Sequence, residues 1–253
     1  MTEDTIMKHG FYYVPIDSMN EIDNMLVKVK DYFNLPLDEK MIQVLNNDGL
    51  GYVPMNRIRN GITVTKESYT YFPDKIISPF EKEFNDYYNY ASNIAKNIFI
   101  QLMESSNIPS EKYTDYINPC YTTLSVLHYP QISNDMSSWV GISPHTDWGF
   151  ITVLYTDSEG LQIFIDNEWV DIPNKPNHFI VNIGDMLELL SNGKYKSTLH
   201  RVINNSEKYS LALFFDPHID NIICPYVDSN LYKSIKYDDY VKDKISESYK
   251  MMN

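Results

Sequence analysis

Residues 141–217 decide the reading of this chain; they open as GISPHTDWGFITVLY (141–155) and close through KSTLHRVI (196–203) and KYSLALFFDP (208–217). His145 and Asp147 stand two apart, and in an extended chain positions i and i+2 project to the same side. An imidazole and a carboxylate therefore converge on one point. His200 arrives from a separate strand-like run. One strand further on, Lys208 and Ser210 share a face by the same period of two. A cation beside a hydroxyl forms a clamp for a carboxylate.

Two imidazoles and one carboxylate on one side of a metal leave the opposite positions open, the arrangement of non-haem Fe(II) oxygenases. The wider motifs agree: H-T-D-W-G at 145–149, N-I-G-D at 182–185, L-S-N-G-K-Y-K-S-T-L-H-R-V at 190–202 and K-Y-S at 208–210. Together they resemble the Fe(II)/2-oxoglutarate-dependent dioxygenases, in the branch similar to isopenicillin N synthase. The resemblance extends more weakly through HGFYYV (9–14), LPLDEK (35–40), KESYTYF (66–72) and YKSIKYDDYVKDKI (232–245), so it covers most of the chain.

The resemblance implies an α+β fold: a double-stranded β-helix, or jelly roll, with helices packed outside it, largely from the N-terminal half. It implies His145, Asp147 and His200 as both catalytic residues and ligands of Fe(II). It implies 2-oxoglutarate as cosubstrate, held by Lys208, Ser210 and Tyr129, and O2 as oxidant. The activity implied is oxidation of a small molecule, normally hydroxylation, with release of succinate and CO2. Two departures matter. Lys208 stands where the family has arginine, and offers the charge without the planar fork. Leu127 replaces an asparagine in the N-x-Y-P pattern that ends in Tyr129-Pro130. Two alternatives stay open: an oxidase of the isopenicillin N synthase kind that needs no 2-oxoglutarate, and a non-catalytic metal-binding jelly roll.

Composition fits. At 253 residues, 43% hydrophobic and 14% aromatic, the chain can bury a sizeable core. Its net charge of −13 disfavours nucleic acid and anionic membranes as partners. Cys120 and Cys224 have neither metal nor disulfide spacing, which suits a reducing cytoplasm. The N-terminus shows no apolar signal core, and no run reaches the 18 apolar residues of a membrane span.

In chain order, HGFYYVPI (9–16) reads as a strand. Ser18 and Glu21 have capping-box spacing, ahead of a helix patterned by Ile22, Met25, Leu26, Val29 and Phe33 and ending near Asn34. LPLDEKMIQVL starts a second short helix. Residues 46–64 read as a glycine-broken loop. The resemblance brings that loop towards the substrate pocket, where Arg57 and Arg59 would meet an anionic substrate; two solvated arginines are the preferred reading. A long helix follows, with Ser78 as N-cap, Pro79 at N1 and a stripe of Phe80, Phe84, Tyr87, Ala91, Ile94, Ile98 and Leu102. After Asn118-Pro119 the chain turns strand-like, with Ser191-Asn192-Gly193 as a turn between strands. The division expected is one domain, 1–253, with a mainly helical part at 1–118, the jelly roll at 119–220 and a C-terminal loop and helix at 221–253.

The remaining candidates read as structural. His128, His178 and His218 lack ligand context. Asp185 follows Gly184 at a turn, and Arg201 faces away from His200 by alternation. For Trp148, a pocket wall and simple packing are equally good readings.

Overall fold

A computed structural model describes residues 9–46, 49–55, 57–59, 62–73, 81–131, 141–203, 206–227 and 231–250, with backbone alone at 57–59, 62–64 and 248–250. Its elements in order are β1 (Phe11–Pro15), α1 (Asn20–Phe33), α2 (Leu37–Met41), β2 (Gly51–Val53), β3 (Arg57–Arg59), β4 (Ile62–Val64), β5 (Glu67–Tyr71) and α3 (Glu81–Ser105). Then come β6 (Cys120–Tyr129), β7 (Ile142–His145), β8 (Ile151–Thr156), β9 (Leu161–Ile165), β10 (Glu168–Asp171), β11 (His178–Ile183), α4 (Asp185–Leu190), β12 (His200–Val202), β13 (Lys208–Pro217), β14 (Ile222–Ile223), β15 (Ile235–Lys236) and α5 (Tyr237–Lys250).

Two antiparallel sheets make the jelly roll: seven strands in the order β1-β11-β8-β13-β6-β5-β2, and four in the order β10-β9-β12-β7. Alternation along β13 explains the layering. Tyr209, Leu211, Leu213 and Phe215 point outward into the main hydrophobic core, where Phe215 and Phe150 meet Phe99 of α3. Lys208, Ser210, Ala212 and Phe214 occupy the other face, which looks into the roll. Helix α3 presents Phe84, Tyr87, Ala91, Ala95, Ile98, Phe99, Leu102 and Met103 to this core, so the expected stripe is the buried face. Its proposed cap, Ser78 and Pro79, lies outside the described residues with Phe80.

Helix α1 buries Ile22, Met25, Val29, Tyr32 and Phe33. The capping box there is partial: Ser18 Oγ donates to Glu21 Oε2 (3.0 Å) and accepts from the Asn20 amide (3.3 Å). Two expectations about local structure change. The stretch 46–64 contains β2 and the β3–β4 hairpin, because Tyr52 pairs with Tyr69 in β5 and buries its ring, overriding the local glycine signal. Ser191-Asn192-Gly193 does not join two strands; it ends α4, the Gly193 amide donating to the Glu188 carbonyl (2.8 Å). Short as it is, α4 buries Met186, Leu187, Leu189 and Leu190.

One ionic cluster ties α2 to the large sheet. Glu67, 1% exposed, accepts from Lys40 Nζ (2.7 Å), Tyr52 OH (2.5 Å) and His128 Nδ1 (2.8 Å). Burial pushes its carboxyl up, but the bonds from His128, Lys40 and Tyr52 outweigh this and leave its pKa below the ordinary value. A depressed carboxylate stabilises at neutral pH, and that contribution is lost as pH falls through the folded value. Glu67→Ala strands the Lys40 ammonium in the core, so denaturant unfolding should show a loss of about 3–5 kcal/mol. A loss below about 1 kcal/mol would mean that water reaches the site.

Candidate metal centre and a buried cation further along the roll

His145 is the last residue of β7 and lies directly opposite His200 on β12 in the antiparallel register. Their rings are 4.3 Å apart, centroid to centroid. Two residues on, Asp147 turns its carboxylate into the same gap, with Oδ1 at 3.6 Å from His200 Nε2 and 3.9 Å from His145 Nε2. All three ligand atoms lie within 4.8 Å of one another. Ligand atoms bound to one divalent ion stand roughly 3 Å apart, given bonds of about 2.1 Å, so small side-chain rotations close the set.

Each ligand is aimed by a second bond. His145 Nδ1 donates to the Ser143 carbonyl (2.9 Å), and His200 Nδ1 to the Thr198 carbonyl (3.0 Å). A carbonyl can only accept, so Nδ1 carries the proton and the Nε2 lone pair faces the gap. Desolvation and the neighbouring His200 push the His145 pKa down to about 3, which keeps that imidazole neutral. Thr152 Oγ1 donates to Asp147 Oδ2 (2.6 Å) and leaves Oδ1 for the gap. Two imidazoles with Nε2 turned to the gap and one carboxylate, all pre-aimed, fit a divalent first-row metal with open positions.

Thr152 was not singled out from the sequence. The signal was the alternation of ITVLYT in β8, which sets Thr152, Leu154 and Thr156 on the inner face. Thr152→Val removes the bond and keeps the shape. We expect metal affinity to fall about 10–100-fold with little change in melting temperature; an unchanged metal titration would show that Asp147 needs no such support.

Further along the inner face, Lys208 pairs with Tyr129 across β13 and β6, and its ammonium lies 5.0 Å over the Tyr129 ring. Lys208 is 2% exposed. Its Nζ donates to the carbonyls of Glu159 (2.8 Å) and Ile203 (2.9 Å), which among the described residues uses two of its three N–H groups. Gly160 makes room: a Cβ there would run into Nζ. Burial pushes the lysine down to about 8, against the charges of Asp157 and Glu159. Ser210 is next on this face and donates to Thr156 Oγ1 (3.2 Å). By the rise of a strand, the Thr156 level lies roughly 13 Å along β8 from Thr152. The roll therefore holds a metal-type donor set at one level and a buried cation with a hydroxyl at another.

The residues read as structural behave so. Arg201 Nε donates to Gln162 Oε1 (2.8 Å) and the guanidinium lies 4.1 Å over Trp169, on the outer face. Asp185 opens α4 and accepts from Thr146 Oγ1 (3.0 Å). His128 belongs to the Glu67 cluster and stacks on Tyr209 at 4.6 Å. Trp148 is half-buried. The side chains of Arg57 and Arg59 lie outside the described residues. Like Thr152, Asp216 escaped the sequence reading: its Oδ1 occupies the space where a Cβ of Gly149 would be, so a larger residue in the H-T-D-W-G turn would displace it. Desolvation, with the charge of Asp147 behind it, pushes Asp216 up to about 8.

Comparison with known proteins agrees with this geometry. The family described as 2OG-Fe(II) oxygenase superfamily matches residues 118–217. Gibberellin 20 oxidase 1 of Arabidopsis thaliana is 31% identical over 245 residues, 86% of this chain and 64% of that protein; this chain thus spans just under two thirds of the relative's length. Kihadalactone A synthase LFS of Citrus sinensis is 30% identical over 284 residues, 95% of this chain and 85% of that one. A full-length Neurospora crassa protein, solved in complex with alpha-KG and thymine, superposes with a TM-score of 0.86 at 21% identity, over 97% of this chain and 89% of that one, a likeness of fold. With a near-full-length relative at 30% identity and its ligand-bearing strands inside the matched region, the chain belongs to the 2OG-Fe(II) oxygenase superfamily.

Proposed function

We propose that this chain is a single-domain Fe(II)- and 2-oxoglutarate-dependent oxygenase acting on a small molecule. The observation that carries the reading is the convergence of His145, Asp147 and His200 on one gap inside the roll, with each imidazole already in the binding tautomer. These three hold the iron. Lys208, with Ser210 and Tyr129 beside it, receives the far carboxylate of 2-oxoglutarate.

The bound iron and cosubstrate supply the oxidising chemistry: one oxygen atom of O2 enters the substrate and the other enters succinate as CO2 leaves. This chain's residues do the rest. Ser143 and Thr198 carbonyls hold the protons on the Nδ1 atoms of His145 and His200. Thr152 fixes which oxygen Asp147 presents. Lys208 orients the cosubstrate by charge, and the apolar inner residues Leu127, Leu154, Ala212 and Phe214 exclude bulk water.

The finer assignment to an isopenicillin N synthase-like branch rests on the sequence motifs, and a reading without 2-oxoglutarate has one observation behind it: two of the three Lys208 N–H groups are already given to carbonyls. Purified protein reconstituted with Fe(II) and supplied with 2-oxoglutarate and O2 separates the two. Succinate released in step with substrate oxidation supports the proposal; oxidation without succinate supports the oxidase. A cytoplasmic site of action, with no nucleic acid or membrane partner, accords with two free cysteines, the charge of −13 and the finding that no described helix is long and apolar enough to cross a membrane.

A further inference from the structure

We propose that the C-terminal helix α5 sets metal affinity: Tyr240, acting through Asp185, is a positioning residue for the turn that carries His145 and Asp147. This rests on the metal reading above.

Between His145, which pairs with His200, and Phe150, whose amide donates to the Phe215 carbonyl (3.0 Å), the turn at 146–149 lies outside the strands. Its back is held by the start of α4. The Gly184 amide donates to the Phe150 carbonyl (2.9 Å), the Asp185 amide to the Asp147 carbonyl (2.8 Å) and the Met186 amide to the Gly149 carbonyl (2.9 Å). Thr146 points away from its two neighbours by alternation, and its hydroxyl donates to Asp185 Oδ2 (3.0 Å). The backbone between the two candidate ligands is therefore pinned to Asp185 from both its amide and its carboxylate.

Asp185 is in turn held from α5. Tyr240 OH donates to the same Oδ2 that Thr146 uses. A second phenol repeats the pattern: Tyr237, 3% exposed, bonds to Asp216, whose carboxyl fills the space left by Gly149 at the other end of the turn. A third, Tyr232, donates to Glu188 Oε1 of α4 (2.5 Å). These three tyrosines thus meet carboxylates on the two elements that back the metal turn. Removing such an outer bond lets a ligand swing, and outer bonds of this kind are worth about 10–100-fold in metal affinity. Around Tyr240 the contact is not tightly packed: a cleft of about 320 Å³ opens between α4 and α5 beside Thr146 and Lys244. Loss of one hydroxyl there creates neither a clash nor a sealed void.

The test is Co(II) titration of the full chain, anaerobically and with 2-oxoglutarate absent, followed by the cobalt visible spectrum, with the melting temperature of the metal-free protein alongside. Wild type should bind one Co(II). Tyr240→Phe should bind about tenfold more weakly with an unchanged melting temperature. Asp185→Ala should lose at least as much, and the double variant no more than Asp185→Ala alone, because Tyr240 acts only through Asp185. Equal affinity of Tyr240→Phe and wild type, or losses that simply add in the double variant, would overturn the proposal while leaving the metal site intact. Wild type that takes up no Co(II) would bring down the metal reading and this proposal with it. Should Tyr240→Phe fail to fold, Thr146→Val removes the other bond to Oδ2 and carries the same comparison.

Discussion

Asp147→Ala should lose Fe(II) binding and turnover together. Asp147 supplies the one negative charge among the three candidate ligands, and it is 6% exposed. Two neutral imidazoles alone leave a dication with no anionic partner in a poorly solvated cavity, where bringing an unpaired charge is costly. The loss must exceed the roughly 10–100-fold that follows removal of a group that only supports a ligand. The protein should stay folded, because among the described residues Asp147's carboxylate otherwise bonds to one threonine hydroxyl, Thr152 Oγ1, and contributes nothing to the apolar core. Equilibrium dialysis against Fe(II) under argon gives the binding arm, and succinate release gives the turnover arm. A variant that keeps one iron per chain at wild-type affinity would remove Asp147 from the metal and require a different third ligand.

Lys208 carries the second large effect. Its ammonium is buried on the inner face and, among the described residues, gives two of its three N–H groups to Glu159 and Ile203. Losing a charge-assisted bond in such a place costs about 2–3 kcal/mol, or roughly 30–150-fold in the apparent Michaelis constant for 2-oxoglutarate. Lys208→Met should show that rise with kcat changed far less. Titration adds an independent arm. Burial holds the group down at about 8, so it is charged below that pH and neutral above it. The Michaelis constant for 2-oxoglutarate should therefore climb about tenfold per pH unit once pH passes the folded value. Lys208→Arg should stay flat over the same range, because a guanidinium keeps its charge. Stability runs the other way: between the folded value and the unfolded one the unfolded chain binds more protons, so unfolding free energy rises with pH there. A wild-type Michaelis constant that matches Lys208→Arg at every pH would place the cosubstrate carboxylate elsewhere.

How far local pattern reaches is plain from particular elements. The stripe from Phe84 to Leu102 identified α3 and its buried face, because a helix projects every third or fourth residue to one side whatever surrounds it. The spacing from Ile22 to Phe33 did the same for α1. The strand period placed His145 with Asp147, and Lys208 with Ser210, before any partner strand was known. Where packing outweighed local propensity, pattern failed. Residues 51–53 became β2 because Tyr52 found Tyr69, and the run after Gly184 became α4 because three leucines and a methionine had a core to enter. Neither neighbour is near in sequence.

By itself, then, the sequence determined the chemical inventory: two imidazoles, one aspartate, one lysine, their faces and the family they resemble. It did so because alternation and ligand type are properties of single short segments. Only the tertiary structure decided who stands opposite whom. The β7–β12 register sets His145 against His200, β8 brings Thr152 to Asp147, and α5 carries Tyr240 back to Asp185 across 55 residues of chain. Such meetings depend on long-range pairing and on the packing of one layer against another, which no local period encodes.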